Sequence, residues 1–256
     1  MKNLILTSLF LGIVSYAVQS WNEQRIQANV KVETFVDAST ISYSAISVTF
    51  YQDASGSIKD NGIEIISTGI FMPYFDDVTR DIQLSFGIID NLSAEKLIAV
   101  SMAKLNFFKP TLQDLRNLNV VERRKEKERF ESALKKYKVD SIQYYQDRRT
   151  KIEDFCKRAE TVLDVYRTNL SGQTDLKTAI DIADKVFEFP DFSSCKNFLL
   201  LYSDGQDTYH RKIKKLRNKA EVILINAGRD IPTSVDAIIS KKLQSPEQAI
   251  KYTLIP

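Results

Sequence analysis

Residues Thr49 to Asp60 read TFYQDASGSIKD. An apolar run delivers Asp53, then Ser55 and Ser57 at alternate positions with Gly56 between them. Asp, Ser and Gly form turns, so the stretch can simply end a strand. The same oxygens can also gather round a hard cation, which a magnesium-type ion would satisfy through near-octahedral oxygen ligation, retained waters and few carboxylates. Two later segments offer matching chemistry. SGQTDL places Thr174 in a glycine loop, and FLLLYSDG ends a second apolar run in Asp204. Asp53, Ser55, Ser57, Thr174 and Asp204 are therefore the candidate metal residues, with magnesium or another divalent ion such as manganese as the cofactor.

Those side chains act together only if distant segments converge. Ala45 to Tyr51, rich in Ile, Val, Phe and Tyr, and Phe198 to Tyr202 are uncharged, as strands buried on both faces are. Ile82–Ile89 and Leu97–Met102 read as further strands joined by the polar turn Asp90-Asn91-Leu92-Ser93, and Glu221–Asn226 as another. Helical patterns follow Ser57 through Ile63, Ile66 and Ile70, then run from Leu176 to Phe187, Thr208 to Lys219 and Ser245 to Lys251. Alternation of this kind predicts an α/β fold, doubly wound, with a mostly parallel central sheet and helices on both faces. In such sheets ligands sit beyond the carboxyl ends of the strands, where strand order reverses. Both both-face-apolar strands end in Asp, which places all three loops at one sheet edge.

From 111 to 170 the texture changes. Glycine is absent, Lys, Arg and Glu dominate, and Phe130, Leu134, Tyr137, Ile152, Phe155, Ala159, Val162 and Tyr166 recur at helical spacing. The pattern predicts a helical insertion, either one long helix or a hairpin broken near Val139-Asp140-Ser141. Its charges alternate in sign, as on a solvated face. The apolar positions do not sustain a clean heptad, so packing on its own domain is favoured over a coiled-coil arm.

Three segments together resemble a family. DASGS matches the Asp-x-Ser-x-Ser signature of von Willebrand factor A domains, SGQTDL resembles that family's threonine loop, and LLLYSDG its third segment. The likeness covers about 44–255, interrupted by the insertion. It implies a metal-ion-dependent adhesion site in which Ser55, Ser57 and Thr174 bind the ion directly. Asp53 and Asp204 would act mainly through water or hydrogen bonds, and a partner protein's carboxylate would fill an open position. Gln173 departs from the pattern, standing where the family has a second glycine, and the insertion is longer than the family needs.

Composition narrows the alternatives. The formal net charge of +3 is too small to argue for wholesale nucleic-acid binding. The single histidine, His210, removes multi-histidine zinc sites. A metal-dependent hydrolase using Asp53 and Asp204, with His210 as base, is the enzymatic alternative, and no phosphate-binding glycine-lysine loop or second carboxylate cluster supports it. Basic runs such as ERRKEKER and RKIKKLRNK, with Tyr144 and Tyr145, open a further alternative. They would serve an assembly factor on membranes or other anionic surfaces.

Met1-Lys2-Asn3, the apolar run Leu4–Val18 and small residues near its end describe a signal for export over 1–20, cleaved or kept as an anchor. The expectation is thus an exported, periplasmic or envelope protein with one domain over 21–256. Cys156 and Cys195 stand in no metal-type spacing; a disulfide or two separate thiols both remain open.

Overall fold

The computed structural model describes residues 45–56, 63–90, 97–188, 195–228 and 231–255. The segment 1–20 expected to direct export, the rest of the chain up to residue 44, and Ser57 lie outside the described residues. Six strands form one sheet: β1 (Ile46–Asp53), β2 (Ile82–Ile89), β3 (Ile98–Met102), β4 (Lys196–Tyr202), β5 (Ala220–Ile225) and β6 (Lys241–Leu243), in the order β3-β2-β1-β4-β5-β6. All neighbours are parallel except β2 and β3. Successive strands run outward from β1 on one side and from β4 on the other. The order therefore reverses between β1 and β4, and the doubly wound, mostly parallel α/β architecture expected from the sequence is what the chain adopts.

Five helices occur among the described residues: α1 (Pro73–Asp76), α2 (Val120–Thr168), α3 (Leu176–Phe187), α4 (Thr233–Asp236) and α5 (Pro246–Thr253), with a 3-10 turn over Thr68–Phe71. The period-two alternation of strand side chains sorts them between two apolar layers. On one face Val48, Phe50, Leu84, Phe86, Phe198 and Leu200 pack with Phe71, Phe155, Leu163 and Ile250. On the other, Tyr51, Leu199, Leu201 and Leu224 pack with Leu176, Ile180, Phe187 and Ile213. Phe71 joins the first layer together: its ring meets Phe50, Phe86 and Phe155 edge-on at 5.4–5.8 Å between centroids.

The expected insertion is one uninterrupted helix of 49 residues. No break occurs near Ser141, whose hydroxyl donates to Tyr137 O four residues back and keeps the turn closed. Asn119 opens α2 with a capping box, accepting from Glu122 N at 2.9 Å while Glu122 Oε2 accepts from Asn119 N at 2.9 Å. Residues 111–119 are not helical; they belong to an extended strap, 103–119, lying along the first half of α2. Phe107 meets the rings of Tyr137 and Tyr144, and Tyr144 Oη donates to Ala103 O at 2.8 Å.

The second half of α2 enters the core, and buried Arg148 locks it there. Its Nε donates to Phe75 O at 2.8 Å, Nη1 to Ala103 O at 2.8 Å, and Nη2 to Tyr74 O at 2.7 Å and to Asp77 O. One guanidinium thus serves the carbonyl ends of α1 and the strap together. Burial lowers its pKa from the usual arginine value. Among the described residues no helix is long and apolar enough to cross a membrane.

Two helix expectations are corrected. Residues 63–67 are not helical, and only the short 3-10 turn and α1 follow, because Gly69 and Pro73 interrupt the run. Residues 208–219 are not a helix either; they form an irregular, extended connection whose backbone is held by acidic side chains of α3 and of its own start. Cys156 and Cys195 are not joined in a disulfide. The Cys156 thiol donates to Thr68 O at 3.4 Å, and burial raises its pKa to about 11.

Gly87 on β2 lies beneath the buried Tyr51 ring, and a methyl carbon there would stand 2.5 Å from Tyr51 Cε1. Gly87→Ala is expected to lower stability by about 1–3 kcal/mol through overpacking, read as a shifted urea midpoint. An unchanged midpoint would show that the Tyr51 ring moves freely.

Candidate metal centre

Three loops leave the carboxyl edge of the sheet at the β1–β4 switch point. β1 ends in Asp53, β4 is followed by Ser203 and Asp204, and the segment 171–175 leads into α3. Asp53 and Asp204 are both essentially inaccessible, at 0% and 1% exposure. Strand pairing fixes where they emerge, since Gln52 pairs with Tyr202 in the parallel register of β1 and β4.

Asp53 is held from two sides. Its Oδ1 accepts from Ser55 N at 2.9 Å, folding the DAS turn back on itself, and its Oδ2 accepts from Ser203 Oγ at 2.7 Å. Ser203 Oγ in turn accepts from Gly205 N at 3.1 Å. Asp204 Oδ1 accepts from Gln206 N at 2.9 Å. Gly205 takes φ +84°, a left-handed conformation that lets the chain turn directly after Asp204. Burial raises the Asp53 carboxyl to about 6, and the nearby Asp204 charge pushes it the same way; the Ser203 and Ser55 hydrogen bonds oppose the shift.

Main-chain bonds tie the threonine loop to both others. Gly56 N donates to Ser171 O at 2.7 Å and Ser171 N to Ala54 O at 2.8 Å, a short parallel bridge between Ser55 and Ser171. Thr174 N donates to Thr208 Oγ1 at 2.8 Å, and Thr208 N returns a bond to Thr174 O at 3.0 Å. Thr174 is 3% exposed. Gln173, in place of a glycine, leaves this bridging intact: its side chain turns outward, where Tyr209 Oη donates to Gln173 Oε1 at 2.5 Å. The loops carrying Asp53, Ser55, Thr174 and Asp204 thus converge, while Ser57 lies outside the described residues.

The donor set suits a hard ion. It consists of hydroxyls beside two buried carboxylates that repel one another, and no Lys or Arg among the described residues pairs with Asp53. No cluster of three or more His, Cys, Asp or Glu able to hold a metal occurs among the described residues, so a site here depends on the serine and threonine oxygens.

No protein-family model matches the chain, and neither does any curated protein. Among solved structures the chain is similar to proximal thread matrix protein 1 from the mussel byssus. The two are 14% identical with a TM-score of 0.40, over 83% of this chain and 46% of that one. It is also similar to the human COPII-coat protein Sec24c, at 8% identity and a TM-score of 0.39, over 79% of this chain and 29% of that one. This chain spans less than half the length of either, and likenesses of this size carry no argument about the site.

Supporting residues that the sequence reading left unassigned also gather here. Asp207, 3% exposed, accepts from Leu176 N at 3.0 Å through Oδ1 and from Arg211 N at 3.1 Å through Oδ2, fixing the start of α3 against the 204–208 turn. Asp90, directly after β2, accepts a hydrogen bond from Tyr166 Oη through its carboxylate, and its carbonyl accepts from Asp175 N at 3.1 Å. The signal for Asp90 was present: Ile89-Asp90 repeats the pattern of a buried strand ending in Asp. His210, weighed as a general base, is exposed on the turn after Asp207.

Proposed function

We propose that this chain is a von Willebrand factor A-type binding module that holds a magnesium-like ion and uses it to grip another protein. The observation that carries this reading is the main-chain bridging of the Ser55, Thr174 and Asp204 loops around two buried carboxylates at the switch point. Ser55, Ser57 and Thr174 would ligate the ion, with Asp53 and Asp204 holding its waters. When bound, the ion supplies a compact positive charge with an exchangeable position that a partner carboxylate can occupy. Asp53 is oriented for this by Ser55 N and Ser203 Oγ. The apolar run at 4–18 supports placing this module outside the cytoplasm, in the periplasm or envelope.

Manganese titration followed by electron paramagnetic resonance tests the reading. Wild type is expected to bind a single ion per chain, and Thr174→Val, which keeps shape and removes the hydroxyl, to weaken that binding at least about tenfold. Equal binding by both proteins would place the ion elsewhere.

A further inference from the structure

The segment RKIKKLRNK is composed to be a helix, yet it runs extended beside α3. Conflicts between local propensity and adopted structure concentrate where a protein carries function. Here the conflict is enforced from within. Ile213 is buried in the second apolar layer, at 5% exposure. At one end Asp207 and Asp175 engage Arg211. At the other, Asp184 Oδ1 accepts from Arg217 N at 3.0 Å and from Asn218 N at 3.2 Å, while its Oδ2 accepts from Arg217 Nε at 3.0 Å. The chain is pinned along the full length of α3, starting at Thr208 beside Thr174.

Pinning displays the lysines instead of using them. Lys177 pairs with Asp181, and Arg217 with Asp184 and Glu188. Lys185, Lys212, Lys214, Lys215 and Lys219 are exposed and have no acidic partner among the described residues. Between α3 and the pinned segment lies a groove of about 470 Å³, whose lining includes Lys177, Lys185, Lys214 and Lys215, with Asp181 and Asp184 already engaged as above.

We propose that this groove is a docking site for an acidic, extended polypeptide segment of a partner protein. It is walled by α3 on one side and by the irregular segment 214–217 on the other, with Ile180 and Leu216 among the lysines, a mixed surface that suits an extended acidic peptide. The separate lysine heads match carboxylates spaced along such a peptide, whereas a duplex or a flat bilayer would meet only the rim. The helix that walls the groove, α3, starts directly after the Thr174 loop. The proposal stands apart from the metal reading, because none of the groove's groups belongs to that centre.

A fluorescein-labelled deca-glutamate peptide, followed by anisotropy at low salt with and without chelator, tests the groove. Wild type is expected to bind in both conditions. The triple variant Lys185→Gln, Lys214→Gln, Lys215→Gln should lose about tenfold in affinity, as the removal of three exposed charge contacts allows. That variant should keep manganese binding, which separates failure of the groove from failure of the metal centre. Equal peptide affinity for wild type and variant overturns the proposal. So does lysine-dependent binding of single-stranded oligonucleotide or phosphatidylserine vesicles tighter than that of the peptide.

Discussion

Arg148→Ala is expected to cost the folded chain about 3 kcal/mol, the loss that follows when a buried charged donor serving several main-chain carbonyls is removed. The guanidinium is the shared donor for Tyr74 O, Phe75 O, Asp77 O and Ala103 O. Without it, carbonyls at the end of α1 and the start of the strap lose their donor in a largely buried setting, where each unsatisfied group costs about 1–3 kcal/mol. Arg148→Lys should recover only part of the loss, because an ammonium is a point charge and cannot span the fork of acceptors that the planar guanidinium reaches. Urea unfolding measures both variants. A loss below about 1 kcal/mol for alanine would mean that water serves these carbonyls equally well.

Magnesium at about one hundred times its dissociation constant should stabilise wild type by about 2.7 kcal/mol at neutral pH, and Asp53→Asn by much less. The pH dependence follows from the Asp53 carboxyl, raised from 3.8 to about 6 by burial and by Asp204. A raised carboxyl favours the folded state when protonated. In chelator, its contribution is therefore full below pH 4 and is lost as pH rises through 6. An ion competes with that proton, so magnesium stabilisation should be weak near pH 5 and strong above pH 7. Thermal unfolding at these pH values, with and without magnesium, is the measurement. A magnesium effect of equal size in wild type and Asp53→Asn would remove the ion from the account.

The architecture was legible because burial on both faces leaves an unmistakable trace. VTFY and FLLLY carry no charge on either face, which assigns them to the middle of a parallel sheet, and each is followed by the Asp that the site needs. Leu176–Phe187 matched its helix to the residue, since its apolar stripe faces the sheet and Asp175 caps it through Thr178 N. The extended path of 208–219 was not legible. Its composition favours helix, and the forces that override it come from Asp184, more than 25 residues earlier in the chain. The role of Ser203 was hidden for a similar reason. Its hydroxyl acts on Asp53, and only the β1–β4 register brings the two within reach.

That register has a consequence for how the molecule is made. The central strands β1 and β4 lie about 150 residues apart in sequence. Pairing them must therefore close one of the longest loops the chain can form. During synthesis at about 5–20 residues per second, β1 can pair with β2 early but waits about 10–30 s for β4 to emerge. Over the same interval the capped α2 can wind on its own, replacing 49 flexible residues of the connection by a rod of about 74 Å before β4 arrives. The long helix thereby removes the freedom of about a third of the connection, which lowers the entropy lost when the two halves of the sheet meet.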